Sequence, residues 1–151
     1  MGRRKHPLYT IGYSGHTLDS FVATLQAEGV SLLIDVRMTP ISRKKGFSKT
    51  ALRQALEDSG IRYEHMRSLG SPRDLRTSLY ENKDYDAFFA SYRAYLACQT
   101  PSVSEAASFA TSERTCLMCV EHEPHQCHRS VVADAIADAM NAKVAVHHLS
   151  H

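Results

Sequence analysis

The chain has 151 residues, which suits one domain with a single hydrophobic core rather than two. Hydrophobic residues make up 43% of the sequence and charged residues 23%, as in an ordinary soluble globular protein, and the net charge of +2 is too small to indicate nucleic-acid binding by itself. No apolar run approaches the roughly 20 residues of a membrane helix, and the first residues lack the pattern of a secretory signal. We therefore expect a cytoplasmic protein that stays outside the membrane, with its four cysteines mostly as reduced thiols.

Apolar periodicity predicts strands and helices in alternation along the chain. The first strand lies within residues 7–14, and a helix follows over 15–29 with Thr17 as its N-cap. In the second strand, within 30–37, apolar residues run without a break to Asp35, which is typical of a strand covered on both faces. The other predicted strands are 61–66, 115–121 and 143–149, and the other predicted helices are 47–60, 84–98, 102–112 and 129–140.

This alternation is typical of an α/β fold with a mainly parallel sheet and right-handed crossovers. We predict a single domain over residues 1–151, a Rossmann-like three-layer sandwich whose sheet has about five strands. Residues 67–83 are polar, turn-rich and poorly periodic, so we interpret them as an excursion or lid.

Side chains suited to acid–base, nucleophilic or anion-binding chemistry follow the predicted strands. In an open parallel sheet, ligands bind beyond the carboxyl ends of the strands, so side chains from separate segments meet on one rim. We therefore predict a functional site at that rim. Its candidate residues are Ser14 and His16 after the first strand, Asp35 and Arg37 after the second, and Glu121, Cys127, His128 and Arg129 after the fourth.

Asp35 and Arg37 are two residues apart on a strand, so their side chains share one face. A charged pair beside a buried strand is costly unless each charge finds a partner. One interpretation is a salt bridge that fastens the following loop. The other is functional, with Asp35 as a general base or as a residue that orients another group, and Arg37 binding an anion.

The segment 117–130 allows three kinds of site. Its cysteines and histidines offer enough donors for zinc, but Cys116 and Cys119 would point to opposite faces of a strand, so we predict no metal centre and keep zinc as a minor alternative. A second reading is a nucleophilic thiol, because Cys127 stands just before a helix, where backbone N–H groups favour a thiolate. In the third, Arg129 in the first helical turn binds phosphate or carboxylate, or forms an internal ion pair with Glu121.

Five separated motifs resemble those of the domain-of-unknown-function 488 family (DUF488). They are "TIGYS", "IDVR" followed by a proline and a Ser-Arg pair, "LG", the pattern C-x-E-x-x-x-x-x-CHR, and the terminal "VHHL". The resemblance covers almost the whole chain and implies an α/β domain with a site on a shared rim, but no particular reaction. One departure is Tyr13, where the family pattern has histidine; if that histidine is catalytic, this chain would have to work without it, or His16 would have to replace it. The motif residues carried over are Gly12, Ser14, Asp35, Arg37, Pro40, Ser42, Arg43, Gly70, Cys119, Glu121, Cys127, His128 and Arg129.

Our leading hypothesis from the sequence is an enzyme that acts on a phosphate-containing substrate, a nucleotide or nucleic acid. Asp35 and Glu121 would perform acid–base chemistry. Arg43, beside two lysines and Phe47, would contact a single strand through its backbone and a stacked base. The substrate-binding residues would be Ser14, His16, Arg37, Ser42, Arg43, His128 and Arg129.

Two alternatives belong to other functional classes. The first is a thiol-dependent enzyme with Cys127 as its nucleophile, which fast and selective labelling of that thiol would favour. The second is a module that binds a nucleotide or nucleic acid without catalysis, for which Arg129→Ala should abolish binding.

Overall fold

The computed structural model of the protein describes residues 7–121, 127–140 and 144–149. The strands of these ranges are β1 Leu8–Gly12, β2 Leu32–Asp35, β3 Arg62–His65, β4 Thr115–Cys119 and β5 Val146–Leu149. The helices are α1 Leu18–Ala27, α2 Lys49–Asp58, α3 Arg73–Asn82, α4 Tyr85–Ala97, α5 Thr100–Ser112 and α6 Arg129–Ala139, and a 3-10 turn covers Arg67–Leu69. Each strand and helix predicted from the sequence is found, with ends that differ by a few residues.

The strands pair in the order β3-β2-β4-β1-β5, and every pair is parallel. On one face of the sheet, Phe21 of α1 and Leu52 of α2 pack in a cluster with Ile11 of β1. On the other face, Tyr92 of α4 and Ile136 of α6 pack in a cluster with the neighbouring side chains of the sheet. The predicted three-layer α/β sandwich with a parallel sheet of five strands is thus confirmed.

The loop between β2 and α2 is closed by two serines. Ser48 stands at the N-cap of α2, but its hydroxyl accepts a hydrogen bond from the Ser42 backbone N–H at 2.9 Å and donates to the Ser42 carbonyl at 3.1 Å. The side chain therefore fixes the loop rather than capping the helix. By contrast, Thr17 caps α1 as predicted, in a reciprocal pair of hydrogen bonds with Ser20.

The segment read as an irregular lid contains a regular helix. Within 67–83, the 3-10 turn is followed by α3, none of whose side chains is fully buried. Only Leu75 of this helix packs against the core cluster, so the apolar stripe is too narrow to give a clear helical period. Across the described residues, no helix is both long and apolar enough to cross a bilayer.

The sheet topology creates a crevice at the carboxyl end of β4. This strand lies between β1 and β2, which continue into α1 and α2 on one face of the sheet, whereas β4 leads towards α6 on the other face. Neighbouring strands whose connections leave on opposite faces form the usual ligand-binding crevice of an open α/β sheet. The residues of the second and fourth strands that were predicted to form the rim site lie around this point.

Candidate functional site

Asp35, at the end of β2, is fully buried and forms an ion pair with Arg37. The guanidinium donates from Nε to Oδ1 at 2.9 Å and from Nη2 to Oδ2 at 2.7 Å, and the Arg37 backbone N–H donates to Oδ1 at 3.1 Å. Tyr63 of β3 adds a hydrogen bond from its hydroxyl to Oδ2 at 2.5 Å. Burial and the Asp35 carboxylate both raise the pKa of Tyr63, so its hydroxyl remains a donor. Protein donors thus occupy both carboxylate oxygens.

Arg37 also holds the loop of residues 38–48 on the rim. Its Nη1 donates to the Phe47 carbonyl at 2.7 Å, and Tyr13 stacks on the Phe47 ring at 4.7 Å while its hydroxyl donates to Ser42 Oγ at 3.0 Å. This is the arrangement expected of a salt bridge that fastens the loop. Phe47 is fully buried. The idea that its ring stacks on a nucleic-acid base is therefore wrong.

Arg129, the first residue of α6, is fully buried at the crevice floor. Its Nε donates to Thr10 Oγ1 at 3.2 Å, and its Nη1 donates to the backbone carbonyl of Glu121. Gly12 makes this close approach possible, since a Cβ there would overlap the Glu121 carbonyl and come 2.8 Å from Arg129 Nη1. The guanidinium thus joins β1, the turn after β4 and the start of α6.

The sulfur atoms of Cys119 and Cys127 lie at bonding distance and form a disulfide, with each residue only 1% exposed. The expectation of reduced thiols fails for this pair, because the end of β4 and the start of α6 are brought together by the fold in a way that sequence spacing does not reveal. Cys98, which is exposed, and Cys116, which is buried, are free. Nitrogen donors approach both bonded sulfurs: the Arg129 backbone nitrogen lies 3.4 Å from Cys127 Sγ, and its Nη1 lies 3.5 Å from Cys119 Sγ.

His128 packs beside this pair. Its Nε2 lies 2.8 Å from the Val36 carbonyl, its Nδ1 lies 3.8 Å from Cys127 Sγ, and its ring meets the Tyr92 ring edge-on at 5.2 Å. Burial lowers the pKa of His128 to about 4, with Arg76 and Arg129 acting in the same direction. The imidazole is therefore neutral at pH 7, and because the carbonyl can only accept, the proton resides on Nε2.

Glu121 lies at the mouth of the crevice. Although the residue is exposed overall, the protein atoms around its carboxylate raise the pKa of Glu121 by desolvation, whereas Arg129 and Arg76 act in the opposite direction. Arg76, on α3, is exposed, and its charge also acts to lower the pKa of His128. The carboxylate beside Cys119 is therefore under the electrostatic influence of an exposed cation.

Residues 17–136 match the model of the family described as Domain of unknown function DUF488. The chain belongs to this family. No curated protein and no solved structure matches the chain. The resemblance drawn from the separate motifs is confirmed, and the matched range contains every candidate residue from the second and fourth strands.

Most of the predicted site residues of this DUF488 protein meet around the end of β4. His128 lies beside Cys127, and its pKa is lowered by the charge of Arg129 and raised by that of Asp35. Arg129 also donates a hydrogen bond to the Glu121 carbonyl. The candidate residues that converge are Asp35, Arg37, Glu121, Cys127, His128 and Arg129.

The remaining candidates lie towards the edge of this group. Ser14 is exposed and its backbone N–H donates to the Val120 carbonyl at 2.8 Å, while Arg43 is exposed on the loop of residues 38–48. His16 is buried, with Nδ1 3.0 Å from Ser20 Oγ. The two histidines considered as metal ligands at 122 and 125 lie outside the described residues.

Two contributors were missed by sequence reasoning. Arg76 lies in the polar segment that showed no clear period, so its sequence context offered no signal. Tyr63 could have been found, because β3 pairs with β2 and alternate residues of adjacent strands share a face. Cys119 was recognised as a motif residue, but its bond to Cys127 was not predicted.

Proposed function

We propose that this DUF488 protein is a thiol-dependent enzyme in which Cys127 is the nucleophile and Cys119 is the second sulfur of a redox pair. The observation that carries the proposal is the pairing of Cys119 with Cys127 at the carboxyl end of β4, with nitrogen donors of Arg129 facing both sulfurs. Backbone N–H groups at a helix start and a nearby guanidinium favour a thiolate over a thiol.

The proposed cycle is thiol–disulfide exchange with a small substrate. The Cys127 thiolate attacks a substrate disulfide RSSR, forming a Cys127–SR mixed disulfide and releasing RS⁻. The Cys119 thiolate then attacks the Cys127 sulfur, releasing the second RS⁻ and closing the Cys119–Cys127 bond. Two electrons pass to the substrate, and an external dithiol returns the pair to its reduced state. Since both cysteines are 1% exposed, a small molecule suits this site better than a protein disulfide.

Selective labelling of the reduced protein tests the proposal. With limiting iodoacetamide near pH 7, we expect Cys127 to be alkylated faster than the exposed Cys98, as read by peptide mass mapping. Cys116 provides the unreactive reference, because burial raises the pKa of its thiol. A Cys127 thiol that reacts no faster than Cys116 would contradict a nucleophilic role.

A second candidate is an enzyme or binding module for a phosphate-containing ligand, either a nucleotide or single-stranded nucleic acid. Arg76 supports it as an exposed cation that acts on Glu121 at the crevice mouth. Arg43, also exposed, adds positive charge on the neighbouring loop. In this version Glu121 performs the acid–base step, whereas Asp35 and Arg129 position other groups.

Titration with a labelled nucleotide and a labelled oligonucleotide separates these versions. We expect Arg76→Ala to weaken phosphate binding and to make the affinity less dependent on salt concentration, because one cationic contact is lost. Binding without turnover would favour the module, and equal affinity for the wild type and Arg76→Ala would contradict the rim as the phosphate site.

A cytoplasmic location is part of either proposal, and fractionation of cells that make the protein tests it.

A further inference from the structure

We propose that the reduced form of the cysteine pair binds a thiophilic divalent cation of the zinc class through Cys119 Sγ, Cys127 Sγ, His128 Nδ1 and a carboxylate oxygen of Glu121. The site requires thiols in place of the disulfide. It does not require Cys127 to be catalytic, so the inference goes beyond the proposed function.

The distances between the donor atoms suit one tetrahedral ion. The two sulfurs and His128 Nδ1 all lie within 4.8 Å of one another, with 3.8 Å between Cys127 Sγ and Nδ1. Glu121 Oε2 lies 3.7 Å from Cys119 Sγ. Ligands of a tetrahedral zinc ion with ordinary Zn–S and Zn–N bonds are separated by about 3.4–3.8 Å.

For an ion to enter, the two sulfurs must move apart and the Glu121 carboxylate, which now contacts Cys119 Sγ, must approach the other two ligands. Their Cα atoms are 7.4 Å apart, beyond the 4.4–6.8 Å that disulfides usually span. The backbone therefore accommodates a sulfur–sulfur separation of about 3.8 Å, as required around zinc. Reduction of the bond and rotation of the two side chains would supply it.

The hydrogen bond at the far side of His128 prepares the imidazole as a ligand. Because Nε2 donates to the Val36 carbonyl at 2.8 Å, the lone pair resides on Nδ1, the atom that faces Cys127 Sγ. Metal-binding histidines commonly donate their other N–H group to a backbone carbonyl in this way, which fixes both tautomer and ring orientation.

Arg129 balances the charge of the proposed site. Two thiolates and one carboxylate carry three negative charges, and a divalent cation with the buried guanidinium supplies three positive charges. Arg129 also presents N–H groups to both sulfurs, at 3.4 Å and 3.5 Å, where thiolate ligands accept hydrogen bonds. A buried arginine beside two thiols thus favours the metal-bound state over an uncharged pair.

Cys116 provides a control from the same strand. It lies three residues before Cys119, on the opposite face of β4, within the cluster formed by α1 and α2. Its thiol is buried and free, so Cys116→Ser changes the number of thiols without touching the proposed ligands. Cys98→Ser does the same at the surface.

The test is metal titration of the full chain, reduced and stripped of metal under argon. Native mass spectrometry and competition with a chromophoric chelator should show one tightly bound Zn²⁺ in the reduced protein and none in the oxidised protein. Co²⁺ in place of Zn²⁺ should give thiolate-to-cobalt charge-transfer bands and the visible spectrum of a tetrahedral ion.

Substitutions then assign the ligands. We expect Cys119→Ser, Cys127→Ser and His128→Gln to weaken Zn²⁺ binding by about 100-fold or more, and Glu121→Gln by about 10-fold. His128→Gln keeps an amide that can donate to Val36, and circular dichroism checks that each variant folds. Cys116→Ser and Cys98→Ser should bind like the wild type.

Two results would overturn the proposal: a reduced wild type that binds Zn²⁺ no better than Cys127→Ser, or a cobalt complex without thiolate bands. These failures are distinct from failure of the proposed function, which is measured as Cys127 alkylation in the metal-free protein. Fast alkylation without metal binding would leave the thiol enzyme standing and remove the metal site.

Discussion

Replacement of Gly12 by alanine should break the close contact between β1 and the Glu121 carbonyl at the rim. Gly12 lies at the end of β1, where an added Cβ would overlap the Glu121 carbonyl and press on Arg129 Nη1 at 2.8 Å. Neither neighbour can give way freely, since one is backbone and the other is fully buried. The turn after β4 must therefore move away from β1, and the hydrogen bond from Arg129 to Glu121 must break.

The expected cost combines two effects. Overpacking in a filled interior costs about 1–3 kcal/mol, and loss of a hydrogen bond from a charged donor costs about 1.5–3 kcal/mol. We predict that Gly12→Ala lowers the free energy of unfolding by about 3–5 kcal/mol. With a urea m-value of about 2 kcal/mol/M, the unfolding midpoint should fall by about 2 M.

Gly60→Ala serves as the control for Gly12→Ala. Gly60 has φ +79° and nothing within 4 Å of an added Cβ, so alanine there suffers backbone strain of about 1–2 kcal/mol but no overlap. Urea unfolding followed by circular dichroism measures both variants. If Gly12→Ala costs no more than Gly60→Ala, the close approach of Glu121 to β1 is refuted.

Three further predictions concern single interactions around the rim. Tyr63→Phe removes the hydroxyl that donates to buried Asp35 and should lower the free energy of unfolding by about 1.5–3 kcal/mol, as measured by urea unfolding; a change below about 0.5 kcal/mol would contradict that contact. In the metal-free protein, burial lowers the pKa of His128 to about 4, against about 6.5 in the unfolded chain. The neutral imidazole therefore contributes fully to the free energy of unfolding above pH 6.5, and this contribution is lost as the pH falls towards 4. The unfolding free energy should drop by about 2–3 kcal/mol between pH 7.5 and 4.5, and His128→Gln should remove that part of the slope. Arg76→Ala should raise the pKa of Glu121 further, because the arginine acts to lower it, and a carboxyl-carbon NMR titration measures the change. An unchanged pKa would show that the two groups do not interact.

The sequence was sufficient to predict the layers and the rim because both follow from local patterns. Alternating strands and helices predict a parallel sheet, and parallel strands bring their carboxyl ends to one edge. The two-residue spacing of Asp35 and Arg37 predicted their shared face. It could not decide between a fastening salt bridge and a ligand site, because the remaining partners, Tyr63 and Phe47, come from other segments of the chain.

The parts that sequence could not predict depend on three-dimensional proximity. Arg129 was expected to meet an anion or the Glu121 carboxylate. In the described part of the chain, its guanidinium donates to the Glu121 backbone carbonyl under Gly12, and its charge acts to lower the pKa of the Glu121 carboxyl. The Cys119–Cys127 bond depends on how the start of α6 returns to β4. Arg76 acts electrostatically on Glu121 and His128 from α3, and the apolar stripe of this helix is too narrow to give a helical period in the sequence.

Trapping of the mixed disulfide is the most direct measurement of thiol chemistry at the rim. Reduced Cys119→Ser, which keeps Cys127 but lacks the second sulfur, is mixed with a small symmetrical disulfide and mapped by mass spectrometry. We expect a stable adduct on Cys127, whereas the reduced wild type should release both thiols and close the Cys119–Cys127 bond. An adduct confined to Cys98, together with a wild type that forms no internal bond, would contradict this expectation.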